Sequence, residues 1–174
     1  MKRAVWLLLA SLLVAPGVTA QDAAHSDYFG AVARYFSLPA EEVMIFADWA
    51  IRADEVPVVL FVARRSGVSP EAVVALRDSG QSWATLTARY RVSPSALHVP
   101  IRDDAPTGAL SGAYERFRST PVGSWNTVAL NDDEIVGLVN VRVIAQVLGL
   151  SVESVVAASG STPTYVQLHA RLRR

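Results

Sequence analysis

Paired carboxylates are the chemistry this sequence offers most readily. Two acids flanking a glycosidic bond suffice to hydrolyse it, and Glu41-Glu42, Asp54-Glu55, Asp103-Asp104 and Asp132-Asp133-Glu134 are the clusters that could supply them. Three of the four stand at predicted helix starts, where capping and the positive end of the helix dipole account for them. Asp103-Asp104, beside Arg102, reads as solvated. The histidines His25, His98 and His169 are isolated, with no HExxH and no paired spacing on one helix face, so no metal site is expected. There is no cysteine, which removes a disulfide framework, a thiolate zinc site, an iron–sulfur cluster and a cysteine nucleophile together. A GxSxG elbow, a Walker loop and a dinucleotide-binding glycine pattern are absent as well. The expectation is a protein without catalysis and without a cofactor.

Contact-forming side chains are better represented. Trp125 sits in a Gly- and Pro-rich stretch as Gly123-Ser124-Trp125-Asn126, and if exposed it is the first contact residue for a partner. Trp83 is a second candidate, for sugar stacking, although its place in the repeat described below favours core packing. Arg89, Arg91 and Arg102, with Arg64 and Arg65, offer a basic strip for acidic glycans or lipid headgroups. Ordinary solvated helix faces explain them equally well.

Positioning these side chains falls to a chain of 174 residues, 51% hydrophobic and 18% charged, enough for one compact domain or two small ones. Met1 to Ala20 has Lys2-Arg3, an apolar run from Val5 to Ala15, a Pro16-Gly17 break and small residues at its end. That is the pattern of a secretory signal peptide cut after Ala20, and the run is shorter than a bilayer-spanning helix requires. The expected mature chain keeps fourteen basic residues, all Arg, against sixteen acids, a net charge of −2. A periplasmic or secreted location follows, with no transmembrane segment after cleavage and no polybasic character for nucleic acid.

Helical periodicity runs from Asp22 to Phe36, and Pro39 opens a second segment, Ala40 to Trp49. Asp54 is a candidate N-cap for a helix reaching Ser66, stopped by Gly67; its stretch Val56 to Ala63 is apolar all round and also compatible with a buried strand. Ser69, Ser82 and Ser93 each open a further helix. Residues 100–130 read as an irregular linker with one helical insert, Gly112 to Phe117. Asn131 and Glu134 then have capping-box spacing before a long periodic run.

At an offset of about 82 residues the chain resembles itself: Ala63 to Ala75 aligns with Ala145 to Ala157, Ser79-Gly80 with Ser159-Gly160, Trp83 with Tyr165, Leu86 with Leu168 and Arg89 with Arg171. Weaker copies of the turn stand at Leu38 to Val43 and Val92 to Leu97. The expectation is an all-α protein of two related helix-turn-helix-like modules, 21–99 and 131–174, joined by the linker. Its predicted core is Val58, Phe61, Val62, Val68, Val73, Leu76, Trp83, Leu86, Ile135, Leu138, Ile144, Leu150, Val155 and Leu168.

Val62 to Leu76 resembles a DNA-binding helix-turn-helix, but its second helix, Glu71-Ala72-Val73-Val74-Ala75, is acidic at its start and apolar thereafter, reading as buried and unsuited to a DNA groove. Residues 79–101 resemble the helical half of a LysM module, which implies binding of N-acetylglucosamine-containing glycans and requires a flanking pair of strands. Four strings, Glu55 to Phe61, Leu76 to Trp83, His98-Val99-Pro100 and Asp133 to Asn140, are similar to an uncharacterised family of exported bacterial all-helical proteins. That likeness implies a helical architecture and no particular activity. The expected role is a non-catalytic interaction or structural protein of the bacterial cell envelope, with an envelope protein as partner; the alternative is LysM-like binding of cell-wall glycan.

Overall fold

Serine or threonine hydroxyls cap the starts of five of the described helices, at Ser69, Ser82, Ser93, Ser151 and Thr164, and residues at positive φ follow several helix ends, among them Ser37, Gly67, Arg91 and Gly149. The computed structural model describes residues 20–49 and 51–174. The predicted leader lies outside them but for Ala20, where the first helix begins. The described residues form ten α-helices and no strand. These are α1 (Ala20–Phe36), α2 (Ala40–Met44), α3 (Val56–Ser66), α4 (Pro70–Asp78), α5 (Trp83–Arg89), α6 (Pro94–Leu97), α7 (Ser111–Ser119), α8 (Asp132–Leu148), α9 (Val152–Ala158) and α10 (Tyr165–Leu172). The apolar run at Val56 is helical, and the strand pair that the LysM likeness requires is absent around residues 79–101.

The self-similarity corresponds to a repeated three-helix unit, α3-α4-α5 and α8-α9-α10. In each copy a glycine at positive φ ends the first helix, Gly67 at 75° and Gly149 at 64°, a conformation that costs an L-residue with a Cβ. In each copy a serine then caps the second helix, Ser69 accepting from the Ala72 N–H and Ser151 from that of Ser154. Ser82 and Thr164 cap the third helices, which begin at Trp83 and Tyr165. A bond across six residues closes the turn after Gly149, Leu150 N–H to the Ala145 carbonyl at 3.0 Å, and both weaker copies share it, Leu38 N–H to the Ala33 carbonyl at 3.0 Å and Val92 N–H to that of Thr87 at 2.8 Å. The capping box at Asn131 and Glu134 is formed in both directions.

Helix α8 is the centre, packing against α1, α3, α5, α6, α9 and α10. Its Gly137 is a matter of space: a Cβ there would stand 2.5 Å from Leu110 Cδ2 and 2.6 Å from the Tyr165 hydroxyl. One core cluster takes residues from both modules and from the stretch between them. The predicted linker contributes Leu110, Tyr114, Phe117, Val128 and Leu130 to it. Proline and glycine mark where periodicity breaks, not whether the chain is buried.

Of the predicted core, Leu150 is the miss, 37% exposed, whereas its counterpart Val68 packs against the cluster. A turn residue is buried only when another element lies over it, and local spacing does not carry that. The helix-turn-helix likeness also needs correction on one point: Glu71, Ala72 and Ala75 are exposed, not buried, so α4 shows an acidic face to solvent.

Leu86 is fully buried. Leu86→Ala is expected to lower stability by roughly 2 to 5 kcal/mol in urea denaturation. A loss below about 0.5 kcal/mol would mean that the side chain packs against nothing of consequence.

Candidate interaction surface

Asp54 and Glu55 are taken up by the fold. Glu55 is buried, and its Oε1 accepts from Trp83 Nε1 at 2.9 Å, Arg77 Nη2 at 2.6 Å and Arg52 Nη2 at 3.2 Å. Burial opposes its ionisation, yet the hydrogen bonds from Arg52, Trp83 and Arg77 hold the carboxyl below the usual glutamate range. Arg77 goes on to Asp132 at 2.8 Å, and Asp132 accepts from the Ala84 N–H in the first turn of α5. Asp54 is not the N-cap of its own helix. Its carboxylate accepts from the N–H groups of Tyr165 and Val166 at 3.1 Å, so it caps α10, 111 residues away. Burial raises its pKa above the usual aspartate range, with those two N–H groups acting against the rise. His25 lines the same 550 Å³ cleft as Asp54, with its Nδ1 at 3.0 Å from the Gln21 carbonyl.

The contact candidates separate cleanly. Trp83 is fully buried and bonded to Glu55, which removes it as a contact residue. Trp125 is half-buried in a 730 Å³ cleft lined by His98, Pro100, Ile101, Phe117, Arg118 and Val122, among others. Its indole N–H donates to the carbonyls of Phe117 at 2.9 Å and Thr120 at 3.0 Å, which fixes the ring. His98 lies against it with ring centres 4.1 Å apart and the planes tilted by 43°, and Phe117 meets both rings edge-on, at 4.7 Å from His98 and 5.3 Å from Trp125. Burial and the neighbouring Arg142 push the His98 pKa down, favouring a neutral imidazole in this cluster. Val122, 71% exposed, stands at the lip.

Arg102 belongs to the same place: its carbonyl accepts from the cleft residue Arg118 at 3.1 Å, and its side chain approaches Asp104 at 3.8 Å. Arg91 lines a neighbouring 410 Å³ groove together with Asn126 and Val128. The segment Val122–Thr127 therefore contributes to both depressions. Arg89 is exposed and lines neither. Arg64 turns away from any strip, donating to the Phe36 carbonyl. His98 was missed as a site residue; the only hint was its place in the string His98-Val99-Pro100. Among the described residues no group of three or more His, Asp or Glu side chains is placed to hold a metal ion.

No protein-family model, curated protein or solved structure matches this chain. The functional reading rests on geometry.

His169 is fully buried in α10 with neither ring nitrogen hydrogen-bonded, its ring 5.8 Å from that of Tyr28 on α1. Burial, then Arg173 and Arg34, lowers its pKa, with Asp27 opposing. The unfolded chain therefore takes up the proton first, and stability falls as pH drops below about 6.5, the value for a free histidine, toward the depressed folded value. His169→Phe should flatten the decline of Tm between neutral and mildly acid pH. An unchanged slope would assign that decline elsewhere.

Proposed function

We propose that the protein is an exported, non-catalytic interaction module of the bacterial cell envelope that binds another envelope protein through the Trp125 cleft. The observation that carries this is the immobilised His98, Phe117 and Trp125 cluster, opening into a 730 Å³ cleft beside a largely exposed valine. Rigid aromatic rings with an apolar lip bind at low entropic cost, which is why such residues dominate protein contact sites. The leader supports export. With Asp103 and Arg118 both on the lining, the cleft carries no single sign of charge, and an apolar or proline-containing segment suits it better than a polyanion.

The test places a photo-crosslinking residue at Val122 in cells, with Arg89 as the exposed control position. A discrete adduct with an envelope protein, formed from position 122, absent from position 89 and lost on Trp125→Ala, is the expected result. Equal labelling from both positions would contradict the reading. Salt-resistant pelleting of the protein with peptidoglycan sacculi, without such an adduct, would move the assignment to cell-wall glycan.

A further inference from the structure

A second groove lies along α4, sharing no residue with the Trp125 cleft and independent of the function assigned to it. Trp49 and the α4 residues Glu71, Val74, Ala75 and Asp78 line a shallow, open groove of 340 Å³. The four helical positions are spaced i, i+3, i+4 and i+7, so they make one stripe, with the carboxylates about 10 Å apart along the axis and small apolar residues between them. Trp49 is held from behind by Phe46, ring centres 4.5 Å apart, and its indole N–H has no hydrogen-bond partner among the described residues. The carboxylates of Glu71 and Asp78 belong to exposed residues and make no ion pair or hydrogen bond among those residues either.

Asp78 is the informative residue. Glu71 lies in the first turn of α4, where the helix dipole favours it, but Asp78 is the last residue, where the dipole disfavours a carboxylate. The neighbouring Arg77 does not compensate, since its guanidinium is committed to Glu55, Asp132 and the Gln81 carbonyl. The fold thus carries an unfavourable negative charge at the mouth of a groove walled by tryptophan. An aromatic wall, an apolar floor and two unpaired carboxylates are complementary to one chemistry, a cation with an apolar stem.

We propose that this groove receives an arginine or lysine side chain of a partner polypeptide, the stem on Val74 and Ala75, the charged head against Trp49 and between Glu71 and Asp78. Arginine suits it better, because a planar guanidinium both stacks on the indole and donates to two carboxylates.

The probe is a capped arginine dipeptide, compared with its citrulline counterpart, which has nearly the same shape and no charge. Binding is read from the Trp49 fluorine resonance of protein labelled with fluorotryptophan, assigned with Trp49→Phe. A saturable shift with the arginine peptide, weakened by salt, absent with citrulline and about tenfold weaker in the Glu71→Gln, Asp78→Asn double variant, is expected. Equal shifts with citrulline, an unaffected double variant, or no shift at millimolar peptide would overturn the proposal. Melting of Asp78→Asn supplies a second reading: Tm should hold or rise, because an unfavourable charge is removed. A fall would show that the fold itself uses the carboxylate, and would also overturn it.

Discussion

Two adjacent carboxylates tie the helices together. Glu55 draws in the end of α4 through Arg77 and the start of α5 through Trp83, and Arg77 carries the connection to Asp132 at the start of α8. Asp54 caps α10, and its carbonyl accepts from Asn140 of α8 at 2.8 Å. Asn140 in turn accepts from the Tyr28 hydroxyl of α1. Six helices, counting the α3 that Glu55 precedes, thereby meet at one dipeptide. A buried carboxylate is costly unless every oxygen is satisfied, and once satisfied it admits few alternative arrangements of its donors. Apolar packing supplies the bulk of the stability, and it is non-directional, whereas hydrogen bonds to a carboxylate are directional. The carboxylates give these short helices a register.

Arginine does comparable work at the periphery. After Lys2 the only basic residues are Arg and His. Arg64 reaches the Phe36 carbonyl, Arg77 that of Gln81, Arg116 that of Ala129, Arg118 that of Arg102 and Arg171 that of Ala158. Arg142 spans the carbonyls of Ala96, Leu97 and His98 with one nitrogen. Short helices expose many terminal carbonyls per residue, and a guanidinium fork reaches them while its other nitrogens bond elsewhere, which an ammonium does less well. Of the cationic side chains that read as a basic strip, Arg64 is such a helix-end ligand, on the last carbonyl of α1. Trp125 is left beside a cleft of mixed charge.

Local chemistry was legible in the sequence and long-range chemistry was not. Ser69, Ser82, Ser93 and Ser151 cap helices because capping involves a residue and its third neighbour at most, a span that spacing alone reveals. Gly67 and Gly149 are legible for the same reason, and their correspondence exposed the repeat. Glu55 does serve a helix start, accepting from the backbone and side chain of Arg52 three residues back, but its bonds to Arg77 and Trp83, 22 and 28 residues away, were not legible. Yet Glu55, Arg77, Trp83 and Asn140 all fall within the strings that carried the likeness to exported helical proteins. Asp54 was recognised as a cap, but the helix it caps is brought to it by tertiary structure. Trp83 and Trp125 show the same limit: one is buried at a repeat position and the other half-exposed in a stretch without periodicity. His98 had no sequence signal of its own, since its ring partners come from α7 and the turn after it.

The claim that the buried carboxylate organises the fold is tested most directly by a double-mutant cycle on Glu55→Gln and Arg77→Gln, with stability measured in urea. A coupling energy above about 1.5 kcal/mol is expected for two charges that share a buried network. Additivity within about 0.5 kcal/mol would show that each side chain acts alone, and that apolar packing by itself sets the register of the helices.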